Sequence, residues 1–433
     1  MNTTTEPIPF ARPFIGAEEE AAVLRVLRSG WLTTGAEAIH FEKEFADFFK
    51  TRSMPPANTR DRHKAAKGEE EITALAVNSA TSGLHLALEA CGVGPGDIVI
   101  TSTYTFTATA EVVRYLGAHV VFVDVAPQSY LMDTAALEKT LERLSRGLPA
   151  YPPRPGKEAP KEGFGPTGPV KAIIPVHVAG LACDMDTIVA LARKYNARVI
   201  EDAAHAFPAQ LSDGRWAGLI GDIGVFSFYA TKTITTGEGG MILTRDKTLA
   251  QRISIMRSHG IDRSIWNRYT DTKASWKYAV VAPGYKYNLP DVLAAIGRVQ
   301  LERAEGLLEM RRAIAESYNK AFSQIDALLL PPTGAENAWH LYPLRLAGAW
   351  GRENRDRFIE QLQSLGIGVS VHFIPLHTMP YYRTLYHLEE QDFPHAVDTF
   401  SRSISLPIWP GMTEAQVQRV IDGVITAVHS VKG

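Results

Sequence analysis

Between Ser79 and Thr244 one pattern recurs: a short apolar run of strand length, a polar turn, then a stretch with helical spacing. The strand-like runs are Asp97-Ile-Val-Ile-Thr101, His119-Val-Val-Phe-Val-Asp124, Lys171-Ala-Ile-Ile-Pro-Val176, Arg198-Val-Ile-Glu201, Gly224-Val-Phe-Ser-Phe228 and Gly240-Met-Ile-Leu-Thr244. Helical spacing runs through Glu111-Val-Val-Arg-Tyr-Leu116 and from Asp186 to Tyr195. Strands that are apolar along their whole length are buried on both faces, and intervening helices allow parallel pairing. The pattern therefore predicts an α/β fold on a mostly parallel sheet, with ligands gathered beyond the carboxyl ends of the strands.

After about Ala279 the texture changes. A long helical pattern over Pro290–Leu308 continues through Arg311–Phe322 and leads into strand-like Trp339–Arg345 and Gly368–Phe373, with helices near Asn354–Leu365 and Thr413–Val428. This predicts a large domain over 1–278 and a smaller C-terminal α+β domain over 279–433. Two stretches read as insertions in the large domain. Arg52–Glu71 is charged and nearly free of large apolar groups, and Pro149–Pro169 holds seven prolines and four glycines. Such compositions bury little and predict surface loops.

Several strand ends carry chemistry. Lys232 lies in Ser227-Phe-Tyr-Ala-Thr-Lys232, ahead of Thr-Ile-Thr-Thr-Gly-Glu-Gly-Gly. Upstream, the run Ala197-Arg-Val-Ile-Glu-Asp202 ends in an acid, with His205 just beyond. A lone lysine in a loop is usually a solvated charge, an Asp after a strand usually a turn residue, and a single His usually structural. Together, on neighbouring strand ends, Lys232 and Asp202 match the needs of pyridoxal phosphate: a lysine for the Schiff base and an acid for the pyridinium nitrogen. A third element supports the pair. Asn78-Ser-Ala80-Thr81-Ser82 precedes an apolar helical pattern, and a helix N-terminus offers unpaired N–H groups and positive partial charge to a phosphate. Alone it would be an ordinary Ser/Thr cap.

Composition excludes other classes. Forty-five basic and forty-seven acidic side chains nearly cancel, without the basic excess of a nucleic-acid binder. No apolar run approaches membrane-span length, and the first residues lack the basic and apolar regions of a signal peptide. Cys91 and Cys183 are the only cysteines, with no Cys-x-x-Cys or His-Glu-x-x-His pattern, so no metal site is expected. A reducing, cytoplasmic setting fits this usage.

These elements together resemble the DegT/DnrJ/StrS family of sugar-nucleotide aminotransferases, of the aspartate-aminotransferase-like fold type I. The resemblance extends over nearly the whole chain apart from the two insertions. It takes in Ser29-Gly-Trp-Leu-Thr-Thr-Gly35, Glu201-Asp-Ala-Ala-His-Ala206, Arg257-Ser-His-Gly260, Pro283-Gly-Tyr-Lys-Tyr-Asn-Leu289, Ala338-Trp-His-Leu-Tyr342, Val371-His-Phe373 and Ser405-Leu-Pro-Ile-Trp-Pro-Gly-Met-Thr413. It implies that Lys232 is the cofactor-linked lysine and general acid/base, that Asp202 pairs with the ring nitrogen, and that His205 lies near the phenolic oxygen. It implies that Ala80, Thr81 and Ser227 hold the phosphate and that Phe106 stacks on the pyridine ring. Asn288 matches a residue that reaches the partner subunit's phosphate, which implies a homodimer.

The resemblance further implies L-glutamate as donor and a 4-keto nucleotide sugar as acceptor. Arg268-Tyr-Thr, Trp276-Lys-Tyr and the His372–Arg383 stretch look closest to an enzyme that aminates a UDP-4-keto-pentose, while UDP-4-keto-6-deoxy-HexNAc enzymes share much of this vocabulary. Trp31, Lys286 and His372 are the candidates for nucleotide-sugar contact. A 3-keto or dTDP-linked sugar is the alternative acceptor. The family's 3-dehydratases have histidine at the lysine position or cluster-binding cysteines, and this chain has neither. A non-catalytic, pyridoxal-phosphate-binding regulator, the reading from another class, would show a lost lysine or an added DNA-binding segment, and neither is present.

Overall fold

The computed structural model describes residues 6–52, 71–154, 161–262, 277–332, 337–348 and 350–432. Most of the Arg52–Glu71 stretch, together with Arg268 and Trp276, lies outside the described residues.

Among the described residues, seven strands form the main sheet: β1 (Thr73–Val77), β2 (Ile98–Ser102), β3 (His119–Val123), β4 (Val170–Ile174), β5 (Arg198–Asp202), β6 (Ile223–Ser227) and β7 (Gly240–Thr244). Their order across the sheet is β1-β7-β6-β5-β4-β2-β3. All neighbours are parallel except β7, which runs antiparallel to both β6 and β1. Every residue of β2 and β7 is buried, as expected for strands covered on both faces. One apolar cluster centres on Ile98–Ile100, Val120–Val123 and Ala172–Ile174. A second is rich in rings: the ring centroid of Phe45 lies within 6.0 Å of those of Phe41, Phe49, Phe207, Phe226 and Phe228.

The long helical pattern after Pro290 resolves into two helices, Asp291–Glu302 and Ala304–Phe322, which meet at Arg303. Beyond them β8 (Leu328–Leu329), β9 (Tyr342–Leu346) and β10 (Ser403–Leu406) make an antiparallel sheet in the order β10-β9-β8. The helices Arg352–Ser364 and Glu414–Lys432 contribute Phe358, Leu362, Val420 and Val424 to the third cluster, which also takes in Ile8 from the start of the chain.

Three expectations differ from the structure. The Gly368–Phe373 run is not a strand; among the described residues its one bridge is from Ser370 to Ser405. Its last two residues turn their side chains into a cavity instead of continuing a ladder. β9 begins at Tyr342 and not at Trp339, because Trp339 is left-handed (φ +47°). The Pro149–Pro169 segment is anchored at its described ends and is not simply a solvated loop. Tyr151 is buried, bridges to Phe164 and receives the amide of Phe122 on its hydroxyl at 2.9 Å. Arg154 makes paired hydrogen bonds of 2.8 and 2.6 Å to Asp392 and lies 4.1 Å over the ring of Phe164. The segment's prolines and glycines bury little; one tyrosine and one arginine supply the anchorage.

No helix among the described residues is long and apolar enough to cross a membrane.

Candidate active site

β5 and β6 are parallel neighbours, so their carboxyl ends bring Asp202 and Ser227 to one edge of the sheet. Side chains alternate along a strand. Glu201 therefore points away from Asp202, and its buried carboxylate accepts the amides of Gly218, Ile220 and Gly221 at 2.6–2.7 Å. Lys232 follows in the turn after β6, where its amide donates to the Tyr229 carbonyl at 2.9 Å. The threonines behind it hold that turn: Thr235 donates through Oγ1 to the Phe228 carbonyl at 3.0 Å, and Thr236 to that of Glu238 at 2.6 Å.

The third component is the helix Ala80–Ala90. Ser79 caps it, with Oγ accepting the Ser82 amide at 3.1 Å, and Ser82 Oγ donates to Asn78 at 2.6 Å. The first-turn position leaves the amides of Ala80 and Thr81 without intrahelical acceptors. Two glycines set where this helix start lies. A Cβ on Gly240 would meet Ala80 N, Ser79 C and Phe226 O at 2.8 Å, and one on Gly83 would meet Val225 at 2.7 Å.

These pieces enclose a cavity of about 470 Å³. Eight of the eleven residues singled out from the sequence line it. Ala80 and Thr81 come from the helix start, Phe106 from the loop after β2, and Asp202, His205, Ser227 and Lys232 from the strand ends. His372 lines it too, beside Phe373. Three do not line it. Trp31 donates its indole N–H to the Thr34 carbonyl at 3.3 Å, Asn288 donates to Thr34 Oγ1 at 2.5 Å, and Lys286 is bonded to Asn288.

The cavity's charges follow from burial. Asp202 is 5% exposed; its Oδ2 accepts from Thr109 Oγ1 at 2.8 Å and its Oδ1 from the Ala204 amide at 3.2 Å. Burial lifts its carboxyl above the ordinary range, against the pull of those donors and Lys232. Lys232 is brought down to about 8, mainly by burial and further by the Arg311 guanidinium, against the attraction of Asp202. His205 and His340 are kept neutral by burial and by Lys232, and His372 falls to about 4 for the same reasons. His205 accepts the Ala179 amide on Nδ1 at 3.2 Å, and its ring stacks on Phe373 at 5.7 Å.

The family model of DegT/DnrJ/EryC1/StrS aminotransferases matches residues 13–54 and 64–425. The chain belongs to this aminotransferase family. It is 40% identical over 420 residues, 96% of each chain, to the spore coat polysaccharide biosynthesis protein SpsC of Bacillus subtilis. Among solved structures it resembles the pyridoxal-phosphate form of the sugar aminotransferase Spr1654 of Streptococcus pneumoniae, with TM-score 0.79, 28% identity, and coverage of 98% of this chain and 99% of that one. It also resembles PseC of Helicobacter pylori, an aminotransferase involved in the biosynthesis of pseudoaminic acid, with TM-score 0.80, 25% identity, and coverage of 98% and 100%. The fold type I architecture, the enzyme class and pyridoxal 5′-phosphate as cofactor thus stand as expected.

The aminotransferase's cavity suits that cofactor chemically. It pairs a helix N-terminus for a phosphate with a buried carboxylate for a cationic ring nitrogen, and the ring of Phe106 is 60% exposed, open to a stacking partner. Thr109, Glu238 and His340 also line the cavity, and no local spacing in the sequence singles them out. Thr109 lies in a helix 93 residues before its partner Asp202, a separation at which no local spacing signals contact. His340 was legible only as part of Ala338-Trp-His-Leu-Tyr342, which reads as strand.

Proposed function

We propose that this aminotransferase moves the amino group of L-glutamate to the 4-keto group of a UDP-linked sugar, to supply a 4-amino sugar for a surface polysaccharide or glycolipid. The observation that carries this reading is the meeting of Lys232, Asp202 and the Ala80–Thr81 helix start in one cavity, with His372 and Phe373 also in its wall. The relatives SpsC and PseC, named for polysaccharide and pseudoaminic acid biosynthesis, support a sugar acceptor.

Pyridoxal phosphate, when bound, supplies an electron sink for the negative charge left when the donor loses its α-proton. The chain's residues do the rest. The amides of Ala80 and Thr81, with the hydroxyls of Thr81 and Ser227, bind the phosphate. Asp202 holds a proton on the ring nitrogen through its carboxylate, oriented by Thr109. His205 donates to the phenolic oxygen, and Phe106 covers the ring. Lys232, its pKa lowered to about 8, would be neutral often enough near that pH to take the donor's α-proton at Nζ as a general base. Two half-reactions at one site give ping-pong kinetics.

The resemblance puts Asn288 at a partner's phosphate, and that role carries a homodimer with it. The same reading keeps the large unit at 1–278 and the small one at 279–433, with Trp31, Lys286 and His372 toward the nucleotide sugar.

The test is a half-reaction. Enzyme converted to the pyridoxamine form with L-glutamate is offered UDP-4-keto-pentose, UDP-4-keto-6-deoxy-HexNAc, a UDP-3-keto sugar and a dTDP-4-keto sugar in turn. Return of the visible cofactor band with either UDP-4-keto sugar supports the proposal and chooses the sugar. Return only with the 3-keto or dTDP-linked compound overturns the acceptor assignment.

A further inference from the structure

Behind His205 lies a turn that the cofactor contacts do not explain. Ala179 is fully buried with φ +62°, a left-handed conformation unfavourable for a residue with a Cβ. Buried strain of this kind persists where surrounding contacts over-determine it, and it clusters at functional sites. The contacts are present. His177 anchors one side: its amide donates to the Asp202 carbonyl at 3.1 Å, its carbonyl accepts the Gly180 amide at 3.2 Å, and its ring bonds Glu201 at 2.9 Å.

The other side meets a second left-handed residue, Trp339, at φ +47°. Ala338 donates its amide to the Gly180 carbonyl at 3.1 Å, and Leu341 donates to that of Ala179 at 3.4 Å. Gly180 is required at this junction. Its φ is +98°, and a Cβ there would lie 2.9 Å from that of Ala338. Between Ala338 and Leu341 sits His340, whose ring centroid is 4.3 Å from that of His205.

We propose that the Val178–Gly180 turn is a positioning element of the active site, locking His205 as the Nε2–H tautomer and fixing the segment that carries His340 in the same act. The Ala179 N–H can only donate, so Nδ1 of His205 must be bare to accept it at 3.2 Å. A neutral imidazole then carries its one proton on Nε2, the nitrogen left to face the cavity that His205 lines. His205 is thereby a fixed donor toward an oxygen in the cavity. The same strained residue that makes this contact through its amide also receives Leu341 on its carbonyl, so two histidine-bearing segments far apart in sequence share one support. The ligand oxygen rests on the functional reading above; the tautomer does not.

The experiment is ¹⁵N NMR of holoenzyme labelled in the histidine rings, with His205 assigned by loss of its signals in His205→Asn. The expected spectrum shows a bare-nitrogen shift at Nδ1 and a protonated-nitrogen shift at Nε2, with no tautomer mixture. An Nδ1–H form or a mixture overturns the proposal, and if the visible cofactor band is intact it does so without touching the aminotransferase reading. Gly180→Ala is the second arm. Folded, cofactor-loaded Gly180→Ala should show changed His205 and His340 signals together, and unchanged signals for both overturn the shared support. Should that variant not fold, the wild-type tautomer decides alone.

Discussion

Thr109 donates its hydroxyl to Oδ2 of Asp202 across 2.8 Å, and Thr105 lies 2.9 Å behind it in a buried hydroxyl chain. The buried carboxylate proposed to face the cofactor's ring nitrogen is therefore held by a residue on a helix from a different part of the chain. Without that donor one oxygen of a buried carboxylate loses its partner.

Replacing Thr109 by Val keeps the shape and removes the donor. Loss of a hydrogen bond to a charged group costs about 1.5–3 kcal/mol, roughly a 10- to 100-fold effect. The expected outcome is a fall of that size in the half-reaction rate with glutamate and a shifted visible band, both restored by Thr109→Ser. Unchanged rate and spectrum would show that Asp202 needs no support from this side.

The lowered pKa of Lys232 has a sign that can be read in solution. An ordinary lysine near 10.5 is almost wholly protonated at neutral pH, whereas one near 8 gains its neutral, nucleophilic form as pH rises through 8. The rate of cofactor uptake by the apoprotein is expected to climb between about pH 7 and 9 and then level off. A midpoint near 10 would mean that burial does not set this group.

Much of this site was legible in the sequence because strand ends announce themselves. The apolar runs fix where β5 and β6 stop and so place Asp202 and Lys232 on neighbouring strand ends, and the small polar residues before the Ala80–Ala90 helix mark its start. What escaped depends on contacts between distant segments. Thr109 and Asp202 share no local pattern. His340 stands in a stretch whose composition says strand, while the left-handed Trp339 turns the backbone and delays β9 to Tyr342. The Gly368–Phe373 run has strand composition too, but tertiary context sends His372 and Phe373 into the cavity.

Gly240 controls how close the Ala80–Ala90 helix, proposed to bind the cofactor's phosphate, comes to β7. In Gly240→Ala the new Cβ meets backbone atoms of Ser79, Ala80 and Phe226 that cannot rotate away. Overpacking of this kind costs about 1–3 kcal/mol, and here the shift displaces the helix start. Cofactor affinity, measured by titration of the apoprotein, is expected to fall about tenfold or more. An unaltered affinity would mean that the helix start does not carry the phosphate.

Arg154 tests the anchorage of the proline-rich segment. Its guanidinium spans Asp392 and the His387 carbonyl, with side-chain exposure of only 14%. Arg154→Ala is expected to lower stability to urea by about 1–3 kcal/mol, as for loss of hydrogen bonds to a charged group, while kcat stays near that of the parent. A loss of turnover without loss of stability would place this segment in the reaction.

On the function proposed for it, the enzyme binds its cofactor at Lys232. Borohydride reduction of the purified holoenzyme, followed by peptide mass mapping, fixes the cofactor on whichever lysine holds it. A single phosphopyridoxyl label on Lys232, lost in Lys232→Ala, is expected. A label on another lysine, or none in an enzyme that shows the visible band, would contradict it.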